Sequence, residues 1–327
     1  MPRARAVVFL SLSLSLLACR KDPPATQAPA DAATPVSASS AGPERLPDAR
    51  RGFTTHLTDK AHKKAPPTPP PPATFTLVHY PSKVGDLAAY VTPRPADGKA
   101  RAAVVWVQGG FESSIDASSW EAAPAENDQS ARAFREAGLV LMIPSFRGGN
   151  DNPGSRETLY GEVDDVIAAG DYAARLPYVD PSRVYLAGHS TGGTLALLVA
   201  ESTDRFRAVF AFGAVGNAKS YADEATFDVT DEKEVRLRSP MFFTSAIRSP
   251  TFVLEGASPP SNAGALPYLL PKEAGSPVRT FAVKGVSHFG ILAPVTRLVA
   301  AKIAADSGAK ARIELTDAEL AAAVGKP

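Results

Sequence analysis

One cysteine in 327 residues excludes an internal disulfide, so any stable fold here must rest on a buried core rather than on cross-links. An excess of charge of either sign is also missing. Lys and Arg total 35 against 34 Asp and Glu, without the basic surplus that binding nucleic acid requires. Histidine is scarce, at five copies. His56 and His62 fall among Lys60, Lys63 and Lys64, a stretch that reads as solvated charge, and no ligand spacing for a metal is present. No cofactor is expected. Beyond the first nineteen residues, no apolar run approaches the length of a membrane-spanning helix.

What is there begins with Arg3 and Arg5, followed by an apolar stretch from Ala6 to Ala18 broken only by serines. It is too short to span a bilayer but suits the core of a signal peptide, expected over residues 1–18. The run ends Leu16-Leu17-Ala18-Cys19 and resembles the lipobox of bacterial lipoproteins, with Cys19 as the lipid-bearing first residue of the mature chain. Lipid alone would then hold the protein to a membrane of the cell envelope. Residues 19–73 are rich in Pro, Ala, Thr and Ser, with an unbroken proline tract at 69–72. Such a segment buries too little apolar surface to offset its ordering entropy, so a disordered tether is expected there. Residues 74–327 suffice for one domain with a substantial core.

Within that domain, strand-like and helix-like segments alternate. Stretches 75–80 and 87–92 read as an antiparallel pair, and 102–107 and 139–143 as buried strands separated by a helix at 129–137. A helix at 161–176 follows, then strands at 183–187, 208–212, 251–255 and 279–284, and a helix at 289–305. This rhythm predicts an α/β fold, a mostly parallel sheet with helices on both faces. Thr316-Asp317-Ala318-Glu319 has the form of a capping box that opens a closing helix. The long interval 213–249 has room for a small cap over a cleft.

Gly188-His189-Ser190-Thr191-Gly192-Gly193 joins a β-branched and aromatic run to an apolar run free of Gly and Pro. Strand, glycine-flanked serine and helix is the setting of a nucleophile elbow, with the helix N-terminus ready to favour an oxyanion. A general base is expected downstream. Of the five histidines only His288 follows Ser190, in the loop Val286-Ser287-His288-Phe289-Gly290. His189 reads as a packing residue of the turn.

The chain resembles the catalytic domain of the prolyl oligopeptidase family of α/β-hydrolases. The resemblance rests on Val107-Gln108-Gly109-Gly110-Phe111, Phe146-Arg147-Gly148-Gly149, Asp164-Asp165-Val166, Asp180-Pro181-Ser182-Arg183-Val184, the Gly188–Gly193 hexapeptide and Val286-Ser287-His288-Phe289, in that order. It implies the α/β-hydrolase fold and an oxyanion hole made by the Thr191 N–H and a donor near the Gln108-Gly109-Gly110 turn. That donor is the Gln108 amide or the N–H of Gly110 or Phe111. The family's peptidases carry a propeller ahead of this domain, which the tether cannot form, so esters rather than peptides are the expected substrates.

The resemblance also implies an Asp a few residues after the strand 251–255, where this chain reads Gly256-Ala257-Ser258-Pro259-Pro260-Ser261-Asn262. Glu255 is the nearest carboxylate and the expected acid. Asp223 or Asp228 in a relocated triad, or a Ser190–His288 dyad with a neutral partner such as Asn262, are the alternatives. Two functions follow: a lipid-anchored serine hydrolase acting on a small ester or short peptide through an acyl-enzyme, or a degenerate hydrolase fold that binds an envelope partner without turnover.

Overall fold

The sheet is built on strict alternation. In the strand 101–107, Ala103, Val105 and Val107 face one core cluster while Ala102, Val104 and Trp106 face another. Both faces of the sheet are therefore apolar and both must be covered. In the computed structural model, which describes residues 42–60 and 65–325, eight strands form one sheet in the order β1-β2-β4-β3-β5-β6-β7-β8. They are β1 (Thr76–Ser82), β2 (Gly85–Val91), β3 (Arg101–Val107), β4 (Val140–Pro144), β5 (Val179–His189), β6 (Val209–Phe212), β7 (Thr251–Gly256) and β8 (Val278–Val283). β1 and β2 form an antiparallel hairpin and β2 joins β4 antiparallel; all other pairings are parallel. This is the expected α/β-hydrolase architecture.

Eight α-helices accompany the sheet among the described residues: α1 (Leu46–Ala49), α2 (Arg132–Glu136), α3 (Glu162–Arg175), α4 (Thr191–Ser202), α5 (Glu232–Arg236), α6 (Leu266–Leu269), α7 (Leu292–Ala305) and α8 (Asp317–Val324). α3 and α4 bury Val163, Val166, Leu195 and Leu198 on one face; α2, α7 and α8 bury Phe134, Val295, Val299 and Leu320 on the other. α4 is buried almost all round, as its continuous apolar run 195–200 requires. The expected capping box opens α8, with Thr316 and Glu319 each bonding the other's backbone N–H.

Two expectations need correction. The helix expected over 129–137 begins only at Arg132. Before it, Asp128 holds the N–H and hydroxyl of Ser130, and the Gln129 carbonyl accepts from Trp106 Nε1. Those contacts draw the segment out of helical register.

The second correction concerns the tether. Residues 1–41 and 61–64 lie outside the described residues, and with them the signal peptide and Cys19. Residues 42–60, however, form a strap packed on the domain. Leu46 is fully buried in the core, and the Arg50 guanidinium donates to the carbonyls of Tyr160, Leu159 and Leu237. Thr55 and the His56 N–H bond the Glu234 carboxylate, and Leu57 bridges to Phe227. Composition undercounted this segment because its apolar anchors are few and widely spaced, and its polar groups find carbonyl and carboxylate partners that are distant in sequence.

The interval 213–249 contains no strand and folds into short helical turns around Phe227, Val235 and the buried Arg238. Arg238 pairs with Glu234 and donates to Thr158 O and Thr55 Oγ1 at 2.9 and 2.6 Å, binding cap, strap and the loop before α3 together.

Candidate active site

β5 carries the chain to Ser190 and α4 leads it away. Parallel pairing sets Gly188 opposite Val107 and His189 opposite Phe212, so the ends of β3, β5, β6 and β7 share one edge of the sheet, where such folds gather their sites. Ser190 sits at φ 56° and ψ −117°, a conformation costing a non-glycine residue about 1–3 kcal/mol. Bonds from Ser190 N–H to Phe212 O (2.8 Å) and from Thr194 N–H to Ser190 O (2.9 Å) hold it there. The flanking glycines are required by close approach. A Cβ on Gly188 would lie 2.4 Å from Gly192 O, and one on Gly192 would lie 2.2 Å from Val107 O.

Glu255 lies at the end of β7, buried at 1% exposure. His288 hangs from the β8–α7 loop with Nδ1 at 3.1 and 3.3 Å from the Glu255 oxygens. The carboxylate only accepts, so Nδ1 carries the hydrogen and Nε2 presents a lone pair. The Asn262 N–H donates to Glu255 Oε1 at 3.2 Å and its side-chain amide to Gly213 O at 2.9 Å. The loop that lacks an Asp thus closes over the glutamate. Neither alternative acid is there: Asp228 is exposed and holds Thr230, and Asp223 is exposed on the cap. Among the described residues no hydrogen bond joins Ser190 Oγ to His288. The site is closed at its His–Glu end and open at its serine end, as substrate-free sites often are.

Two residues position His288: Gly213, which escaped the sequence reading, and His189, which was read as packing of the turn. Gly213, at φ +66°, leaves room for the imidazole; a Cβ there would lie 2.3 Å from His288 Cε1. Only the position of Gly213, directly after β6, hinted at this. His189 is fully buried, with its ring centroid 4.6 Å from that of His288. Its Nε2 donates to His288 O at 3.0 Å, and its Nδ1 accepts from the Gln129 amide at 3.0 Å. Burial, reinforced by the nearby His288, pushes the His189 pKa down to about 3. The ring therefore remains a neutral brace for the His288 loop.

On the other side of Ser190, the β3 end turns through Gly109 and Gly110. A Cβ on Gly109 would lie 3.3 Å from Ser190 Cβ, so this turn runs directly beside the serine. Thr191 Oγ1 donates to Gly110 O at 2.6 Å, pinning the turn to the first residue of α4, whose N–H has no acceptor within the helix. The Gln108 amide reaches toward Ser119 Oγ at 3.5 Å, too long to hold it. Of the donors open from sequence, the turn's N–H groups and Thr191 are the better anchored.

Residues 126–253 match the prolyl oligopeptidase family. Two curated relatives, both described as dual function macrocyclase-peptidases, are 32% identical over 107 residues in Galerina marginata and 36% over 64 residues in Amanita bisporigera. The matches cover 31% and 18% of this chain. The chain spans only 14% and 9% of those proteins. Among solved structures, an esterase of Pyrobaculum calidifontis superposes with TM-score 0.55 at 20% identity, covering 71% of this chain and 86% of that one. An acylaminoacyl peptidase of Pyrococcus horikoshii gives 0.56 at 16%, covering 76% and 44%. These structural likenesses show the fold. The domain has the α/β-hydrolase fold, and its segment 126–253 is prolyl oligopeptidase-like.

Proposed function

We propose that this prolyl oligopeptidase-like domain is a serine hydrolase, with Ser190, His288 and Glu255 as the catalytic triad of an acyl-enzyme mechanism acting on esters. The observation that carries the reading is the meeting, at neighbouring strand ends, of a strained elbow serine and a buried His288–Glu255 pair. Ser190 Oγ attacks the ester carbonyl as His288 Nε2 accepts its proton. The oxyanion forms between the Thr191 N–H and the N–H groups of the Gly110-Phe111 turn. Collapse of the tetrahedral adduct releases the alcohol, which takes the proton back from His288. Water repeats the sequence to free the acid and restore Ser190. Glu255 orients the ring and stabilises its imidazolium. The preference for esters is supported by coverage: the Pyrobaculum esterase is matched over most of its length, the acylaminoacyl peptidase over less than half.

A fluorophosphonate probe tests this directly. The full chain is expected to label stoichiometrically at Ser190 and to hydrolyse 4-nitrophenyl acetate. Absence of both label and turnover would favour the degenerate, binding-only fold. Gly213→Ala is expected to lower kcat by about 100-fold, since a misplacement of about 1 Å at a catalytic group costs that much. A Gly213→Ala enzyme with unchanged kcat would show that His288 does not need the space.

The cell-envelope location and lipid anchor at Cys19 belong to the same proposal, supported by the basic start, short apolar core and Leu-Leu-Ala-Cys sequence. Labelled palmitate is expected to enter the chain in its natural host and to be lost in Cys19→Ser; incorporation that survives the substitution would refute the assignment.

A further inference from the structure

The leaving group must lie on the side of Ser190 from which His288 can protonate it, and the acyl group on the other. Two cavities match that polarity. An open groove of about 410 Å³ runs by Val215, Ser261 and Asn262, the loop that covers Glu255. A smaller pocket of about 70 Å³ lies on the oxyanion side, lined by Gly109, Gly110 and Thr191 with Phe146, Leu195 and Glu162. Phe146 and Leu195 give it an apolar patch, and its small volume suits a short acyl chain.

Glu162 brings a buried carboxyl group to that lining. It is 3% exposed; Oε1 accepts from the Glu157 N–H at 2.7 Å, and Oε2 has no hydrogen-bond partner. Apart from the Gln108 amide, held only by its 3.5 Å contact to Ser119, the polar side chains nearest to it are engaged. Thr158 Oγ1 pairs with Thr226, Thr191 Oγ1 with Gly110 O, Ser114 Oγ with Glu112 O, and Arg156 with Phe111 O. A buried carboxyl oxygen left without a partner is costly, and a ligand group in the pocket would remove that cost.

We infer that this pocket is the acyl subsite and that Glu162 selects short acyl groups bearing a hydroxyl. The inference rests on the serine-hydrolase reading above. Burial pushes the Glu162 pKa up to about 7, so both protonation states exist near neutrality. A hydroxyl both donates and accepts and pairs with either state, whereas an ammonium pairs only with the carboxylate and a methylene with neither. A site built to hold a hydroxyl rejects the analogue that lacks one, because its own polar group is then left unpaired.

The test compares 4-methylumbelliferyl butyrate, 3-hydroxybutyrate, 3-aminobutyrate and hemisuccinate on the full chain. The expected result is a kcat/KM at least tenfold higher for the hydroxybutyrate than for the butyrate. Glu162→Ala is expected to bring that ratio near one, and Glu162→Gln, whose amide also donates and accepts, to keep most of it. If Glu162→Ala does not fold, the wild-type and Gln ratios still decide. Equal rates for the two esters in wild type overturn the inference. So does a ratio that survives Glu162→Ala, or one variant slowing all esters alike, which marks a purely structural glutamate. Preference for the aminobutyrate would assign an ammonium ligand instead, and preference for the hemisuccinate would shift recognition to Arg156; either overturns it. Failure of wild type to hydrolyse any ester or to take up the fluorophosphonate removes the hydrolase reading, and the inference falls with it. Normal labelling without a hydroxyl preference removes the inference alone.

Discussion

Ser190→Ala is expected to lower kcat on 4-nitrophenyl acetate by about 10⁴- to 10⁶-fold, the loss seen when a hydrolase nucleophile is removed, with almost no change in stability. The second half of that expectation comes from the elbow. Alanine inherits φ 56° and ψ −117° and keeps both backbone bonds to Phe212 and Thr194, so nothing is relaxed and nothing is lost. Ser190→Gly separates strain from chemistry. Glycine tolerates this region, so relief of about 1–3 kcal/mol of strain competes with the extra backbone entropy of glycine, roughly 0.5–1 kcal/mol. The glycine variant should be as inactive as the alanine variant and more stable than it by up to about 2 kcal/mol. Urea midpoints at constant m-value measure the difference. A glycine variant less stable than Ser190→Ala would mean that the elbow stores no strain. Retained turnover in either variant would remove Ser190 from the nucleophile role.

Glu255→Gln is expected to lower kcat by about 10⁴-fold. The carboxylate accepts from two donors, His288 Nδ1–H and the Asn262 N–H. A glutamine offers one oxygen and one NH₂. If its oxygen serves Asn262, the NH₂ faces His288 and forces Nδ1 to become the acceptor. The hydrogen then moves to Nε2, which can no longer take the serine proton. If instead the oxygen serves His288, the NH₂ meets the Asn262 N–H donor to donor, and the loop that closes the site is pushed away. Either outcome damages the base while leaving the volume of the side chain intact. Glu255→Asp keeps the charge but shortens the reach by a methylene and is expected to fall between the two. A glutamine variant retaining more than about a tenth of wild-type kcat would sink the role of Glu255, since loss of an orienting charge costs far more than that.

The strands, their order along the chain and the elbow were legible in sequence because each depends on local information. The unbroken apolar run 102–107 declares a strand buried on both faces. Glycines at 188, 192 and 193 declare a serine turn packed against neighbouring backbone. The lone downstream histidine left no competitor for the base. The boundary of the tether was not legible, because the Arg50 and Thr55 side chains find hydrogen-bond partners more than a hundred positions away. Tertiary structure likewise decided which acid meets His288. Sequence favoured Glu255 by its place at a strand end but left Asp223 and Asp228 open, whereas parallel pairing of β6, β7 and β8 brings only the strand-end glutamate to the imidazole. The brace from His189 and the clearance at Gly213 have the same origin. A side chain's type is written in the sequence, but its distance from a partner depends on strand register and loop closure, which emerge only when the whole sheet packs.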